Sequence, residues 1–426
     1  MKIISVVGAR PNFMKIAPFI RAIEAHNEEC RRKKAAGGTE AGKDKPLSEP
    51  VQHILVHTGQ HYDDAMSKAF FADLGIPEAD INLQIGSGTH AEQVGQTMIA
   101  FEKVLKAERP DWVVVVGDVN ATLACSVTAK KEWIKVCHIE AGLRSNDLTM
   151  PEEINRLVTD RLSDLLLAPD RLSIKNLKSE GTSDSRIRFV GNIMIDTLEA
   201  NREKASMLDI RDIIESNLIN NVAGRTSYTV QNTAPGNQHQ ATSTKQPATS
   251  TKHQQLPTNS FAVVTLHRPS NVDSPEVLGP IVDFLSGEVA SDLTLLWPIH
   301  PRTRKMLSES GLLEKVSSNP DIILLQPLGY LDMLRLNMEA RLILTDSGGL
   351  QEECTVLGTP CLTLRSNTER PVTLREHGGA SVLVGNDIRT IREAYRTALT
   401  LSRNPVRPEL WDGHAAGRCL EAILSY

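Results

Sequence analysis

Short apolar runs rich in β-branched residues alternate with longer stretches of helical periodicity along almost the whole chain, and no other feature constrains its fold more. They come in two series. The first is Ile3–Val7, Ile54–Thr58, Trp112–Val116, Val136–Ile139 and Leu165–Leu167; the second is Phe261–Leu266, Leu293–Trp297, Ile322–Gln326, Leu342–Thr345 and Cys361–Leu364. Strands that are apolar along their length are buried on both faces, and helices between them supply the crossovers a parallel sheet needs. A chain of 426 residues is also long for a single core. The expected fold is α/β, with two Rossmann-like doubly wound domains, 1–190 and 191–410, facing across a cleft. Ligands in such sheets bind beyond the carboxyl ends of the strands, so the residues just past those ends carry the chemistry.

Two stretches break the alternation. Arg31–Pro50 is rich in Lys, Gly and Glu and reads as a solvated insertion after the first helix. Asn220–Ser260 is a polar Thr/Gln/Ser/Asn tract that repeats ATSTK, with too little apolar surface to offset its ordering entropy, and reads as a disordered loop. The net charge of −5 and pI near 6.2 give no basic field, so no nucleic-acid partner is expected. The 6 cysteines show no metal-ligand spacing, several lie in strand-like runs, and they read as buried reduced thiols. No segment approaches the ~18 apolar residues of a membrane span, so the protein is expected to be cytoplasmic and without a membrane partner.

The segment Leu342–Gly358, LILTDSGGLQEECTVLG, reads as a strand, a tight turn and a helix start. Backbone N–H groups at Ser347, Gly348 and Gly349 would point out of that start and, with the helix dipole, seat a diphosphate. Glu352 and Glu353, one turn on, could accept from ribose hydroxyls. In GARPNFMKIAP, Arg10 and Lys15 flank the mouth of the cleft as cations suited to phosphate. Asp118 follows Val113–Val116, Glu140 follows Val136–Ile139, and Glu152 and Glu153 open a helix after Pro151. Carboxylates converging from separate loops suit proton transfer at carbon, where one group removes a proton and another returns it. His267, followed by Arg268, ends FAVVTLH at the same cleft edge. Each feature alone has a plainer reading: a surface cation, an N-cap at Asp118, a dipole partner at Glu152, a hydrogen-bonded strand end at His267.

In order along the chain, GARPNFMKIAP, HTGQHYD, GDVNATLA, HIEAGLRS, PEEINR, GNIMIDTL, TLHRPSN, LTDSGGLQEE and TERPVTLREHG together resemble the non-hydrolysing UDP-N-acetylglucosamine 2-epimerases. The resemblance spans nearly the whole chain apart from the two insertions. It implies a GT-B arrangement, no metal or nicotinamide cofactor, a homodimer, and a C-terminal helix (411–426) that returns to the first domain. The implied reaction interconverts UDP-N-acetylglucosamine and UDP-N-acetylmannosamine by eliminating UDP to 2-acetamidoglucal and adding it back, in the supply of surface-polysaccharide precursors. Asp118, Glu140 and Glu152 match the family's acid/base carboxylates, and His267 matches its histidine near the diphosphate. Arg10, Lys15, Ser347, Gly348, Gly349, Glu353 and Arg370 match its nucleotide-binding positions.

Some positions depart from the family pattern. HRPSN stands where many members have HRREN, and PLGYLDM differs from their nucleobase loop. Gln60, His61 and His300 match a second, activating UDP-sugar site of some bacterial members, but Asp63 and the arginine-free Ile85–His90 argue for a weak or absent one. A GT-B glycosyltransferase, a hydrolysing epimerase and a catalytically silent UDP-sugar binder are the competing readings.

Overall fold

The computed structural model describes residues 1–35, 49–59, 75–219 and 260–426, with the side chains of Arg10 and Pro11 outside that description. Two all-parallel sheets form its frame. The first has seven strands, β1 (Lys2–Val7), β2 (Gln52–His57), β3 (Ile81–Asn82), β4 (Trp112–Val116), β5 (Lys135–Ile139), β6 (Leu165–Ala168) and β7 (Ile187–Phe189), in the order β3-β2-β1-β4-β5-β6-β7. The second has six, β8 (Phe261–Thr265), β9 (Thr294–Pro298), β10 (Ile322–Leu325), β11 (Leu342–Thr345), β12 (Cys361–Thr363) and β13 (Ser381–Leu383), in the order β10-β9-β8-β11-β12-β13. Both orders reverse direction once, between β1 and β4 and between β8 and β11. A crevice opens at such a reversal because neighbouring crossovers leave to opposite faces.

The period-2 alternation of the strands explains why they are apolar throughout. Ile3 and Val7 of β1 face one core while Ile4 and Val6 face the other. In β8, Ala262 and Val264 face one side, Phe261 and Val263 the opposite one. Helices cover both faces of each sheet, so neither side tolerates a polar register.

Two helices tie the halves together. The helix Ile193–Ser206 packs on Arg10–Ala35 of the first half and on Tyr330–Glu339 and Gly348–Leu357 of the second. The chain then ends on the first half, where Cys419, Leu420 and Ile423 of the helix Ala415–Leu424 join Phe13 and Ile16 in one core. Asp196 caps that helix, accepting from the N–H groups of Ala415 at 3.0 Å and Ala416 at 2.7 Å. Trp411, 1% exposed, donates its indole N–H to the carbonyl of Pro169 at 3.2 Å.

The first helix runs to Ala35, so Arg31–Ala35 are helical and the insertion expected over Arg31–Pro50 begins later. Arg32 and Lys33 pair one turn back with Glu28 and Glu29, and three basic residues in the last turn suit the helix dipole. The remainder of that insertion, 36–48, and the tract 220–259 lie outside the described residues. All 6 cysteines are buried, and no disulfide joins them. No helix among the described residues is long and apolar enough to cross a membrane.

Candidate active site

The loops after β1, β4 and β5 meet those after β8, β11 and β12 between the two sheets. Lys15, on the first helix, forms a buried ion pair with Glu140, which directly follows β5. Glu140 is 3% exposed and has φ +70°, a conformation uncommon for a residue with a side chain. Asp118, just past β4, pairs with Arg156, one turn beyond Glu152 on the helix Pro151–Leu162. The N-cap of the helix that starts at Asn120 is Val119, so Asp118 is not a cap and its carboxylate is turned to Arg156. The turn between β4 and that helix needs a glycine. Gly117 has φ +68°, and a Cβ there would stand 3.1 Å from Nζ of Lys15.

The adjacent acids at the start of Pro151–Leu162 part company. Glu153, 1% exposed, accepts from the backbone N–H of Ser145 and of Asn146, each at 3.0 Å, and pairs with Arg156 at 2.6 Å. It is committed to holding the loop in place. Glu152 is half-buried and makes no hydrogen bond or ion pair among the described residues. It faces the cleft closely enough to act electrostatically on Arg268 of the other half.

On the second half, Ser347 precedes the helix Gly348–Leu357 as its N-cap and makes no side-chain capping bond. Its own N–H donates to the hydroxyl of Thr345 at 2.9 Å, leaving Gly348 and Gly349 as the first N–H groups open to an anion. A Cβ on Gly348 would lie 2.8 Å from both Arg370 Nη1 and Glu369 Oε1, so a side chain there would push the ends of that pair away from the helix start. His267 points Nδ1 at Asp346 at 2.7 Å, while the other carboxylate oxygen of Asp346 accepts from the N–H groups of His267 and Arg268 at 2.9 and 2.8 Å. Burial would raise Asp346, yet His267 and these N–H groups hold it below the usual aspartate value.

Arg370 joins the halves. It is 6% exposed, with Glu352 at 2.8 Å, Glu369 as a second partner and Glu140 of the first half at 3.7 Å. Burial opposes its charge, but Glu352, Glu369 and Glu140 together hold it well above the ordinary arginine range. Burial likewise works against Glu369, and Arg370, Arg365 and Arg156 outweigh it, leaving the carboxyl well below its ordinary value. Asn192 adds a second link across the halves, donating to Glu352 at 2.8 Å.

Glu353 is 4% exposed on the side of its helix that meets Tyr330 and Asn337, and burial pushes it up to about 7. A carboxyl raised on folding contributes stability that is full below its unfolded value of about 4.5 and is lost as pH climbs through about 7. Glu353→Gln is therefore expected to flatten the fall in stability between about pH 4.5 and 7, by at most about 3 kcal/mol. Urea midpoints of both proteins across that range test it, and parallel curves would show that Glu353 does not titrate there.

Glu140, Lys15 and Arg370 thus lie in one buried cluster, with the half-buried Asp118 acting on Arg370 beside it and Glu152 and His267 at its edge. Arg10's side chain lies outside the described residues, as do Gln60, His61 and Asp63. Arg156, Glu369 and Arg365 carry much of the cluster's charge and were not singled out from the sequence, although Arg156 stands three and four residues after the two acids of PEEINR, a helical ion-pair spacing. No group of three or more His, Cys, Asp or Glu among the described residues could hold a metal ion.

Comparison with known proteins identifies the company this chain keeps. The sequence model of the UDP-N-acetylglucosamine 2-epimerase family matches residues 47–242 and 221–424. A UDP-N-acetylglucosamine 2-epimerase of Methanocaldococcus jannaschii is 37% identical over 428 residues, covering 100% of this chain and 99% of that protein. A UDP-2,3-diacetamido-2,3-dideoxy-D-glucuronate 2-epimerase of Pseudomonas aeruginosa is 36% identical over 401 residues, covering 94% of this chain and 92% of that one. The crystal structure of the Methanocaldococcus jannaschii UDP-GlcNAc 2-epimerase in complex with UDP-GlcNAc and UDP matches with a TM-score of 0.79 at 36% identity, 100% of each chain being covered. With the two facing parallel sheets, this similarity makes the arrangement GT-B.

Proposed function

Since the chain belongs to the UDP-N-acetylglucosamine 2-epimerase family of isomerases, we propose that it interconverts UDP-N-acetylglucosamine and UDP-N-acetylmannosamine, supplying a precursor for surface polysaccharide. The observation that carries this reading is the meeting of Asp118 and Glu140 from one half with Arg370 and the open helix start at Gly348 from the other. Acids and anion seat then flank one sugar diphosphate. Lys15, Arg370 and the N–H groups of Gly348 and Gly349 hold the diphosphate, and His267 lies beside it. A C2 proton is too weakly acidic to exchange directly. Elimination avoids that: a carboxylate takes the C2 proton, the C1–O bond breaks toward UDP, and 2-acetamidoglucal forms. UDP then returns to C1 while a proton is delivered to the opposite face of C2. Asp118, Glu140 and Glu152 are the groups able to remove and return those protons. Keeping the cleft closed matters because free UDP and glycal would otherwise escape.

In D₂O, NMR is expected to show solvent deuterium entering C2 of both UDP-sugars while the nucleotide remains attached at equilibrium. Stoichiometric UDP and free N-acetylmannosamine would instead identify a hydrolysing enzyme. Inertness toward UDP-N-acetylglucosamine together with turnover of UDP-2,3-diacetamido-2,3-dideoxy-D-glucuronate would move the substrate to that of the Pseudomonas aeruginosa relative.

A further inference from the structure

Beneath the acids, at the level of β5, lies a buried imidazole ring. His138 is 0% exposed. Its Nδ1 is 2.6 Å from Oδ1 of Asp160, and its Nε2 is 2.9 Å from the carbonyl oxygen of Gly117. A carbonyl can only accept. Asp160 already accepts from the Gly142 N–H at 3.0 Å and lies 2.7 Å from Arg144 Nη1, which marks it as an ionised carboxylate that also can only accept. Burial would raise Asp160, but His138 and Arg144 hold it below its ordinary value. Each ring nitrogen thus faces an oxygen that can only accept, and the ring is held between the Asp160 carboxylate and the Gly117 carbonyl away from solvent. Arg144 in turn pairs with Glu180 at 2.7 Å, so Asp160 and Glu180 share one buried guanidinium beside the ring.

We infer that His138 is a positioning residue whose ring, anchored on Asp160, locks the Gly117–Asp118 turn to the strand carrying Glu140. The Gly117 peptide is held from both sides by β5, its carbonyl by the His138 ring and its N–H by the carbonyl of Ile139 at 3.2 Å. Asp118 is the next residue on one chain segment and Glu140 the next on the other. A Cβ at Gly117 would stand 3.5 Å from Oε2 of Glu140, so the turn is also the floor under the Lys15–Glu140 pair. One ring thereby sets the spacing of two carboxylates that the proposed reaction uses together, and its importance for turnover rests on that reading.

The test uses the full chain. His138→Gln is expected to lower kcat by roughly 10–100-fold while KM for the UDP-sugar stays within about twofold and UDP affinity is kept, as small misplacements of reacting groups do. Asp160→Asn, which removes the ring's charged anchor, is expected to lower kcat in the same way with KM kept. Amide exchange at Gly117 is expected to quicken in His138→Gln relative to the wild type. A wild-type kcat or an unchanged Gly117 exchange rate in His138→Gln overturns the inference. Should Asp160→Asn fail to fold, His138→Gln decides. A wild-type protein that binds UDP yet turns over no UDP-sugar would sink the proposed function instead, with the Gly117 exchange measurement still standing on its own.

Discussion

Asp118→Asn, Glu140→Gln and Glu152→Gln are each expected to lower kcat by about 10²–10⁴, the usual worth of a positioned acid or base. They should differ in what else they disturb. Glu152 makes no hydrogen bond or ion pair among the described residues, and Arg268, which it acts on across the cleft, keeps Asp346 and Glu369, so KM should hardly move. Asp118→Asn weakens the pair with Arg156, which still keeps Glu153. Glu140→Gln removes the charge facing Lys15 and Arg370 and should change nucleotide affinity as well as turnover. Steady-state kinetics with UDP-N-acetylglucosamine, paired with UDP titrations, separate the two effects. Near-normal kcat in any of the three would remove that residue from the proton transfers.

The second large effect is on stability. Arg370→Met keeps much of the side chain's bulk but leaves the buried Glu352 without a cation, while Glu140 keeps Lys15 and Glu369 keeps Arg365. Removing one member of a buried charged cluster generally costs about 3–5 kcal/mol, because the remaining charge is neither solvated nor paired. Adding Glu352→Gln should recover part of the loss, since the double variant buries one carboxylate fewer. Denaturant unfolding of the three proteins without nucleotide measures this. A loss under about 1 kcal/mol in Arg370→Met would mean that water or lysines re-solvate the acids, and that the cluster is far less closed than its burial indicates.

Much of the fold was legible because burial on both faces leaves an apolar signature that needs no partner to be seen. Each long strand in the two series appears with its ends within a few residues of the expected ones, β4 over Trp112–Val116 and β11 over Leu342–Thr345 among them. The strands that escaped notice were β3, β7 and β13, of 2, 3 and 3 residues at sheet edges. A segment that short has no periodicity, and it is a strand only because a neighbour pairs with it. The end of the first helix was misplaced for a related reason: Arg31–Lys34 is wholly cationic, but ion pairs with the preceding turn sustain it.

The sequence by itself determined the two parallel sheets, the strand ends at which Asp118, Glu140, His267 and Ser347 stand, and the order of motifs that marks the family. Tertiary structure alone decided which of the many acids are occupied. Glu152 and Glu153 are adjacent in the chain, yet one faces the cleft and the other is consumed by Ser145, Asn146 and Arg156. Glu352 and Glu353 are adjacent too, and one meets Arg370 while the other is buried toward Tyr330. A carboxylate's state depends on its solvent exposure and on the charge within a few ångströms. Those neighbours come from far along the chain: Lys15 reaches Glu140 across 125 positions, and Asn192 reaches Glu352 across 160. No local pattern encodes such distances, so the charges of the site became readable only once the sheets had brought their loops together.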